Sequence, residues 1–192
     1  LLAWGAVEQH GPHLPTGVDT FRGYAIAEYV AQELGNALVA PTLRPGCSDH
    51  HTDFPGTFSL SRETFVRLLT EYCESLDQMG FENIVVFPSH GGNVDIMRTY
   101  TPDIAQELES ADLYLVEKNL GNIPEYLEDE YGISREKTGV HAGYNETAQM
   151  LADYPELVDE DKAEEGMTKT EFYDEDRVAQ SKLESFTHGV RQ

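Results

Sequence analysis

Four consecutive apolar residues, Ile84-Val85-Val86-Phe87, stand between Asn83 and Pro88, and the chain then turns through Ser89-His90-Gly91-Gly92-Asn93. An unbroken apolar run of this kind suits a strand covered on both faces, which is the situation of a parallel sheet flanked by helices. The segment predicts a central parallel strand, a tight turn, and a helix reaching about Leu108. Around it, Leu1 to Gly5 read as the end of a buried strand. Asp19 or Thr20 is expected to cap a helix to about Leu34, stopped by Gly35, with Ile26, Val30 and Leu34 along its inner face. Ala37 to Ala40 predict a second short strand. Ser61 caps a helix to about Met79 closed by Gly80, and Leu113 to Val116 make a further strand. Short helices are expected over Glu125–Tyr131 and from Glu146 to Leu151. The alternation of short apolar runs with amphipathic stretches reads as an α/β fold.

The chain of 192 residues is long enough to bury one core and reads as a single domain, with an acidic C-terminal segment over about 153–192. Thirteen Lys and Arg stand against 35 Asp and Glu, a formal charge of −22. Such a surface repels phosphate backbones and anionic membranes, so neither nucleic acid nor a membrane is an expected partner. Strong acidity also suits high salt, where self-repulsion is screened, and points to a halophilic source, with an ordinary acidic cytosolic enzyme as the other reading. Cys47 and Cys73 lie far apart and form no paired motif, so a reducing cytoplasm is the expected location. No apolar run approaches the roughly 20 residues that a membrane span needs. No signal peptide is visible, and a chain opening on Leu1 is expected to lack some N-terminal residues.

Metal-binding side chains concentrate in three segments, each where the carboxyl end of a strand is expected to deliver them to one rim of the sheet. The first is Glu8-Gln9-His10-Gly11-Pro12-His13-Leu14-Pro15, followed by Asp19. In extended chain Glu8 and His10 share a face, so a carboxylate and an imidazole approach one point together. The second is His90-Gly91-Gly92-Asn93. Two glycines there permit a positive φ or a close approach to a ligand, and the following N–H groups suit an oxyanion. An ordinary glycine turn with Asn93 as helix cap reads equally from these residues. The third is His141-Ala142-Gly143-Tyr144-Asn145-Glu146, where Glu146 also reads as a first-turn acid favoured by the helix dipole. A fourth stretch, Gly46 to Thr57, is a long loop holding His50 and His51. Adjacent side chains diverge, so at most one of the two is expected at a site. No G-x-S-x-G elbow surrounds Ser89, and Cys73 falls within an amphipathic helix, so serine and cysteine hydrolases are not favoured.

Taken together, the segments resemble the creatininase (creatinine amidohydrolase) family. They include Phe54-Pro55-Gly56-Thr57 and Thr147, occur in the family's order, and span residues 8 to 147. The resemblance implies an α/β layered fold with a central, mostly parallel sheet flanked by helices, a homohexamer acting on a small amide, and a binuclear centre of two divalent ions, Zn, Mn or Fe. It implies that Glu8, Asp19 and His90 hold one ion and that His10, Asp19 and Glu146 hold the other. Asp19 would bridge the two ions, with hydroxide between them. It implies His141 as the proton-handling residue, with Glu146 also taking part in the reaction. His51, Gly91, Gly92, Asn93 and Tyr144 are the expected substrate contacts.

Two departures bear on substrate. Creatininase has a glutamate ligand where this chain has Gly92, so Glu146 supplies the carboxylate. Creatininase also surrounds its substrate with tryptophans, whereas Trp4 stands alone here and lies in the first strand. The expected reaction is metal-dependent hydrolysis of a non-peptide amide or formamide C–N bond. The alternatives are a formamidopyrimidine ribonucleotide deformylase-like enzyme and an inactive metal-binding relative. The wider family also includes a peptidase of mycofactocin maturation.

Overall fold

The computed structural model describes residues 1–116, 123–134, 138 and 140–164. Of the acidic segment expected over 153–192, residues 165–192 lie outside the described residues, and Asp159, Glu160 and Asp161 are exposed. The chain forms two compact units. The first contains Leu1–Val7, Asp19–Asp49 and the stretch from Phe58 to residue 116. The second contains Glu8–Val18, His50–Thr57 and the described residues from 123 onward.

The first unit is built on three parallel strands, β1 (Leu2–Trp4), β2 (Asn83–Pro88) and β3 (Asp112–Leu115), in the order β1-β2-β3. β2 is central, as its apolar run predicts. Leu2 pairs with Val86 and Trp4 with Pro88, so β1 and β2 end level with one another. Helices α1 (Val18–Leu34), α2 (Arg62–Gln78) and α3 (Gly91–Glu107) complete the unit, with α2 and α3 in contact with β2.

Ser61 caps α2 by accepting from the Thr64 N–H at 3.2 Å. The helix turns Phe65, Leu69 and Cys73 inward at four-residue spacing onto Trp4, Ile84 and Val86. The rings of Trp4 and Phe65 stack with centroids 3.7 Å apart, and the indole N–H donates to the Pro45 carbonyl at 3.0 Å. Trp4 is thus a core residue with its polar edge satisfied. Burial pushes the Cys73 thiol up to about 12, which keeps it inert within this core.

Three expectations change here. Ala37–Ala40 does not form a strand. The chain instead runs beside β1 through isolated bonds, Ala40 N–H to the Leu1 carbonyl and Leu43 N–H to the Ala3 carbonyl, with a single bridge at Leu43. A strand there would place Leu38 in the interior, and it is exposed. Beyond its buried first turn, the fully buried positions of α1 are Gly23 and Ala27, while Ile26 and Val30 are half-buried and Leu34 is exposed. Close approach decides that choice, because a Cβ on Gly23 would collide with Ser89 Oγ. Helix α1 also starts at Val18, before either expected cap, and the Thr20 hydroxyl donates to the Ala6 carbonyl.

The second unit holds the Glu8–Val18 loop, helices α4 (Ile123–Tyr131) and α5 (Tyr144–Asp153), and short 3₁₀ turns at Asp49–His51, Pro155–Leu157 and Glu160–Lys162, the first of which begins in the other unit. The Glu8 N–H closes the loop onto the Thr16 carbonyl at 2.9 Å, and the Asp159 N–H reaches the His13 carbonyl at 2.9 Å. Among the described residues no helix is long and apolar enough to cross a membrane.

Near the end of α2, the carboxylate of Asp77 accepts four hydrogen bonds from the segment before β3: the N–H groups of Glu109, Ser110 and Ala111, and the Ser110 hydroxyl. These donors hold its pKa below the ordinary aspartate value, the Ser110 hydroxyl most of all. Such a carboxylate adds stability that is fully present above the unfolded pKa and is lost as pH falls through the folded one. Asp77→Asn keeps the shape but turns an NH2 group onto backbone donors. Thermal melts are expected to show a lower Tm for this variant at neutral pH, with the gap to the parent closing at acidic pH.

Candidate active site

In the first unit the site begins where β1 and β2 end. The Ser89 N–H continues the strand ladder to the Trp4 carbonyl at 3.0 Å, and its hydroxyl donates to the Asp19 carbonyl at 2.7 Å. These bonds tie the first turn of α1 to the turn that carries His90. His90 Nδ1 then lies 3.1 Å from Asp19 Oδ2, with both side chains buried. The other ring nitrogen, Nε2, is 3.1 Å from the Cys47 carbonyl. A carbonyl only accepts, so Nε2 bears the hydrogen and Nδ1 of the neutral ring is a lone pair. A lone pair facing a carboxylate at that distance calls for a second ring proton or a shared cation.

Asn93 braces this arrangement. Its NH2 group donates to the Trp4 and Gly5 carbonyls at 3.1 and 3.0 Å, and its Oδ1 accepts from the Cys47 N–H at 3.0 Å. Asn93 is neither the helix cap, a place taken by His90, nor exposed to a ligand; its amide is spent on backbone. Gly91 and Gly92 do not have the positive φ that their sequence allows. Gly92 is required for another reason: a Cβ there would strike the Cys47 carbonyl and the His90 ring. Burial raises the Cys47 thiol to about 11, which removes it as a nucleophile.

In the second unit, Glu8, His10 and His141 bring ligand atoms within 4.8 Å of one another, and all three are buried. His10 Nδ1 is 3.1 Å from the Glu8 carbonyl and therefore carries the hydrogen, while Nε2 lies 3.7 Å from Glu146 Oε2. His141 Nε2 is 2.6 Å from the Gln9 carbonyl, and its Nδ1 lies 3.6 Å from Glu8 Oε1. His10 and His141 thus repeat the pattern of His90, with one ring nitrogen on a backbone carbonyl and the other aimed at a carboxylate. Metal-binding histidines are held in this way, because the carbonyl fixes the tautomer and the ring orientation.

Glu146 sits in the first turn of α5, and its Oε2 accepts from the Ala142 N–H at 2.6 Å. Ala142 has φ of +50°, the left-handed region that costs a non-glycine residue energy, and this strained turn points its N–H at the carboxylate. The first-turn acid and the site carboxylate are one group. His13 fastens the same helix, its Nε2 lying 2.9 Å from Thr147 Oγ1. Burial depresses the His13 pKa, with the nearby His10 adding to the effect.

Each unit thus gathers its own share of the expected residues. Asp19 pairs with His90 in the first. Glu8, His10, His51, His141 and Glu146 cluster in the second. His51 is buried with Nε2 3.7 Å from Glu8 Oε1, and its neighbour His50 is exposed. Tyr144 opens α5 and is exposed. Sequence reasoning missed Gln9 and His13, both buried. The signal for Gln9 was its position between two expected ligands, and for His13 its place in the same dense motif.

The donor set, imidazole nitrogens and carboxylate oxygens without thiolates, fits a divalent metal of the Zn, Mn or Fe(II) kind. The creatininase family model, described as creatinine amidohydrolase, matches residues 1–190. The mycofactocin precursor peptide peptidase of Mycolicibacterium smegmatis is 32% identical over 163 residues, covering 82% of this chain and 59% of that protein. The creatinine amidohydrolase of Pseudomonas putida is 29% identical over 84% of this chain and 66% of its own length. A solved creatininase mutant of the Zn-Zn type superposes with a TM-score of 0.71 at 28% identity, over 86% of this chain and 69% of that one. The chain spans about three fifths of the first of these relatives. On these matches, the chain belongs to the creatininase family.

Proposed function

We propose that this chain is a metal-dependent hydrolase of amide C–N bonds that works with two divalent ions. In this reading Glu8, Asp19 and His90 hold one ion, His10, Asp19 and Glu146 hold the other, and Asp19 is shared. The observation that carries it is the matched placement of His10 and His90, each with one nitrogen on a backbone carbonyl and the other turned toward a carboxylate. Three of the proposed ligands, Glu8, His10 and Asp19, lie close to one another along the polymer. The Zn-Zn type of the creatininase mutant supports a pair of ions.

Two divalent cations, when bound, lower the pKa of water so that hydroxide is available near neutral pH, and they polarise the carbonyl under attack. The protein's own part is to hold the ligands, exclude water and manage protons. In this reading His141, whose Nδ1 lies 3.6 Å from Glu8 Oε1, takes a proton from the attacking water and returns it to the leaving nitrogen. Our first reading is a small non-peptide amide or formamide, with a formamidopyrimidine ribonucleotide as one candidate. The name of the Mycolicibacterium relative favours a peptide bond as the second reading. We also infer a homo-oligomer and, from the charge of −22 and two unpaired, buried cysteines, a cytoplasmic protein adapted to high salt.

Metal analysis of the purified chain is expected to find about two divalent ions per chain, with most lost in Asp19→Ala and in His90→Ala. Imidazole must be deprotonated to bind, so metal content should fall as the pH is lowered. A chain that binds no metal at neutral pH would end the proposal. His141→Ala is expected to retain metal and lose about 10²- to 10⁴-fold in turnover on a panel of amides, formamides and short peptides. Unchanged turnover would remove His141 from the mechanism. Stoichiometric metal with no turnover on the whole panel would identify an inactive relative instead.

A further inference from the structure

Gln9 lies between Glu8 and His10, is buried, and has no part in the ligand set. Its polar groups are nevertheless committed within the second unit. Oε1 accepts from the Gly11 N–H at 3.0 Å, which identifies the other end of the amide as NH2. That NH2 group lies 3.2 Å from His51 Nδ1 and donates to it. Nδ1 of His51 is therefore a lone pair, and its hydrogen resides on Nε2.

The main-chain carbonyl of Gln9 meets His141 Nε2 at 2.6 Å. A carbonyl has no hydrogen to give, so Nε2 of His141 also carries one. The Gln9 NH2 group is 3.2 Å from the same nitrogen, but two donors do not bond, and the shorter contact to the carbonyl decides the assignment. Both rings are thus Nε2–H tautomers. They stack with centroids 4.4 Å apart and turn different ring nitrogens toward Glu8 Oε1. His51 presents Nε2–H at 3.7 Å, and His141 presents the Nδ1 lone pair at 3.6 Å.

We propose that Gln9 is a positioning residue that makes His51 a fixed hydrogen-bond donor beside Glu8 and bars it from binding metal through Nε2. Ligation through Nε2 needs the lone pair there and the hydrogen on Nδ1, and the Gln9 amide occupies Nδ1 as a donor. A glutamate at position 9 would accept from Nδ1 and release Nε2 as one more ligand. Resting on the hydrolase reading, the donor would serve the substrate's carbonyl oxygen or leaving nitrogen, while His141 acts through its lone pair.

The test is long-range ¹H–¹⁵N NMR of the 192-residue chain labelled with ¹⁵N-histidine, its signals assigned with single His→Gln variants. The parent is expected to show His51 with Nε2 protonated and Nδ1 bare. Gln9→Glu should move the His51 hydrogen to Nδ1 and leave the tautomer of His141 unchanged, because the main-chain carbonyl remains. The same variant should lose about 10- to 100-fold in turnover. His51 found with its hydrogen on Nδ1 in the parent overturns the proposal, as does a Gln9→Glu protein in which His51 does not change. Should Gln9→Glu fail to fold, the parent measurement decides alone. The NMR reading is independent of metal count and turnover, so its failure is separate from failure of the hydrolase reading.

Discussion

Three carboxylates, Glu8, Asp19 and Glu146, are held almost wholly out of water, and an unpaired charge in that position is among the costliest things a fold can contain. Much of the local architecture follows from that constraint. Each carboxylate has an imidazole nitrogen within 3.7 Å, and Glu146 also takes a backbone N–H at 2.6 Å. Neutral imidazoles compensate a carboxylate poorly when they present lone pairs. A divalent cation, if bound, would convert the same arrangement from repulsive to attractive, because both partners would then donate electron pairs to it.

Backbone carbonyls organise this chemistry. The Glu8 carbonyl orients His10, the Gln9 carbonyl orients His141, and the Cys47 carbonyl orients His90. Two of these carbonyls belong to the motif that also supplies Glu8 and His10 as side chains, so one short segment provides candidate ligands and their supports. The third depends on Gly92 and Asn93. Gly92 leaves room for the Cys47 carbonyl to approach the ring, and Asn93 clamps Cys47 to the ends of β1. A glycine and an asparagine that read in the sequence as an oxyanion-facing or helix-capping turn are therefore part of the scaffold behind a histidine.

The α/β class and the central position of β2 were legible because they rest on local, strongly periodic signals: the Ile84–Phe87 run, the Ser61 cap and the glycine stops. The inner face of α1 was not legible. Its spacing of larger apolar residues pointed to Ile26, Val30 and Leu34, whereas close packing against Ser89 selected Gly23 and Ala27. Ala37–Ala40 failed as a strand for a related reason. Residues of fair strand propensity found only a few bonds along β1, and strand identity depends on the partner.

By itself, the sequence determined which chemistries were present. A carboxylate and an imidazole two residues apart, a histidine at a strand end and an acid in a helix's first turn are properties of spacing, and spacing is written in the chain. Only the tertiary structure decided which nitrogen of each ring bears the hydrogen, that His51 is buried beside Glu8, and that Gln9 and Asn93 are braces. Those outcomes depend on contacts such as Gln9 with His141, 132 residues apart, and hydrogen bonds over that separation have no local signature.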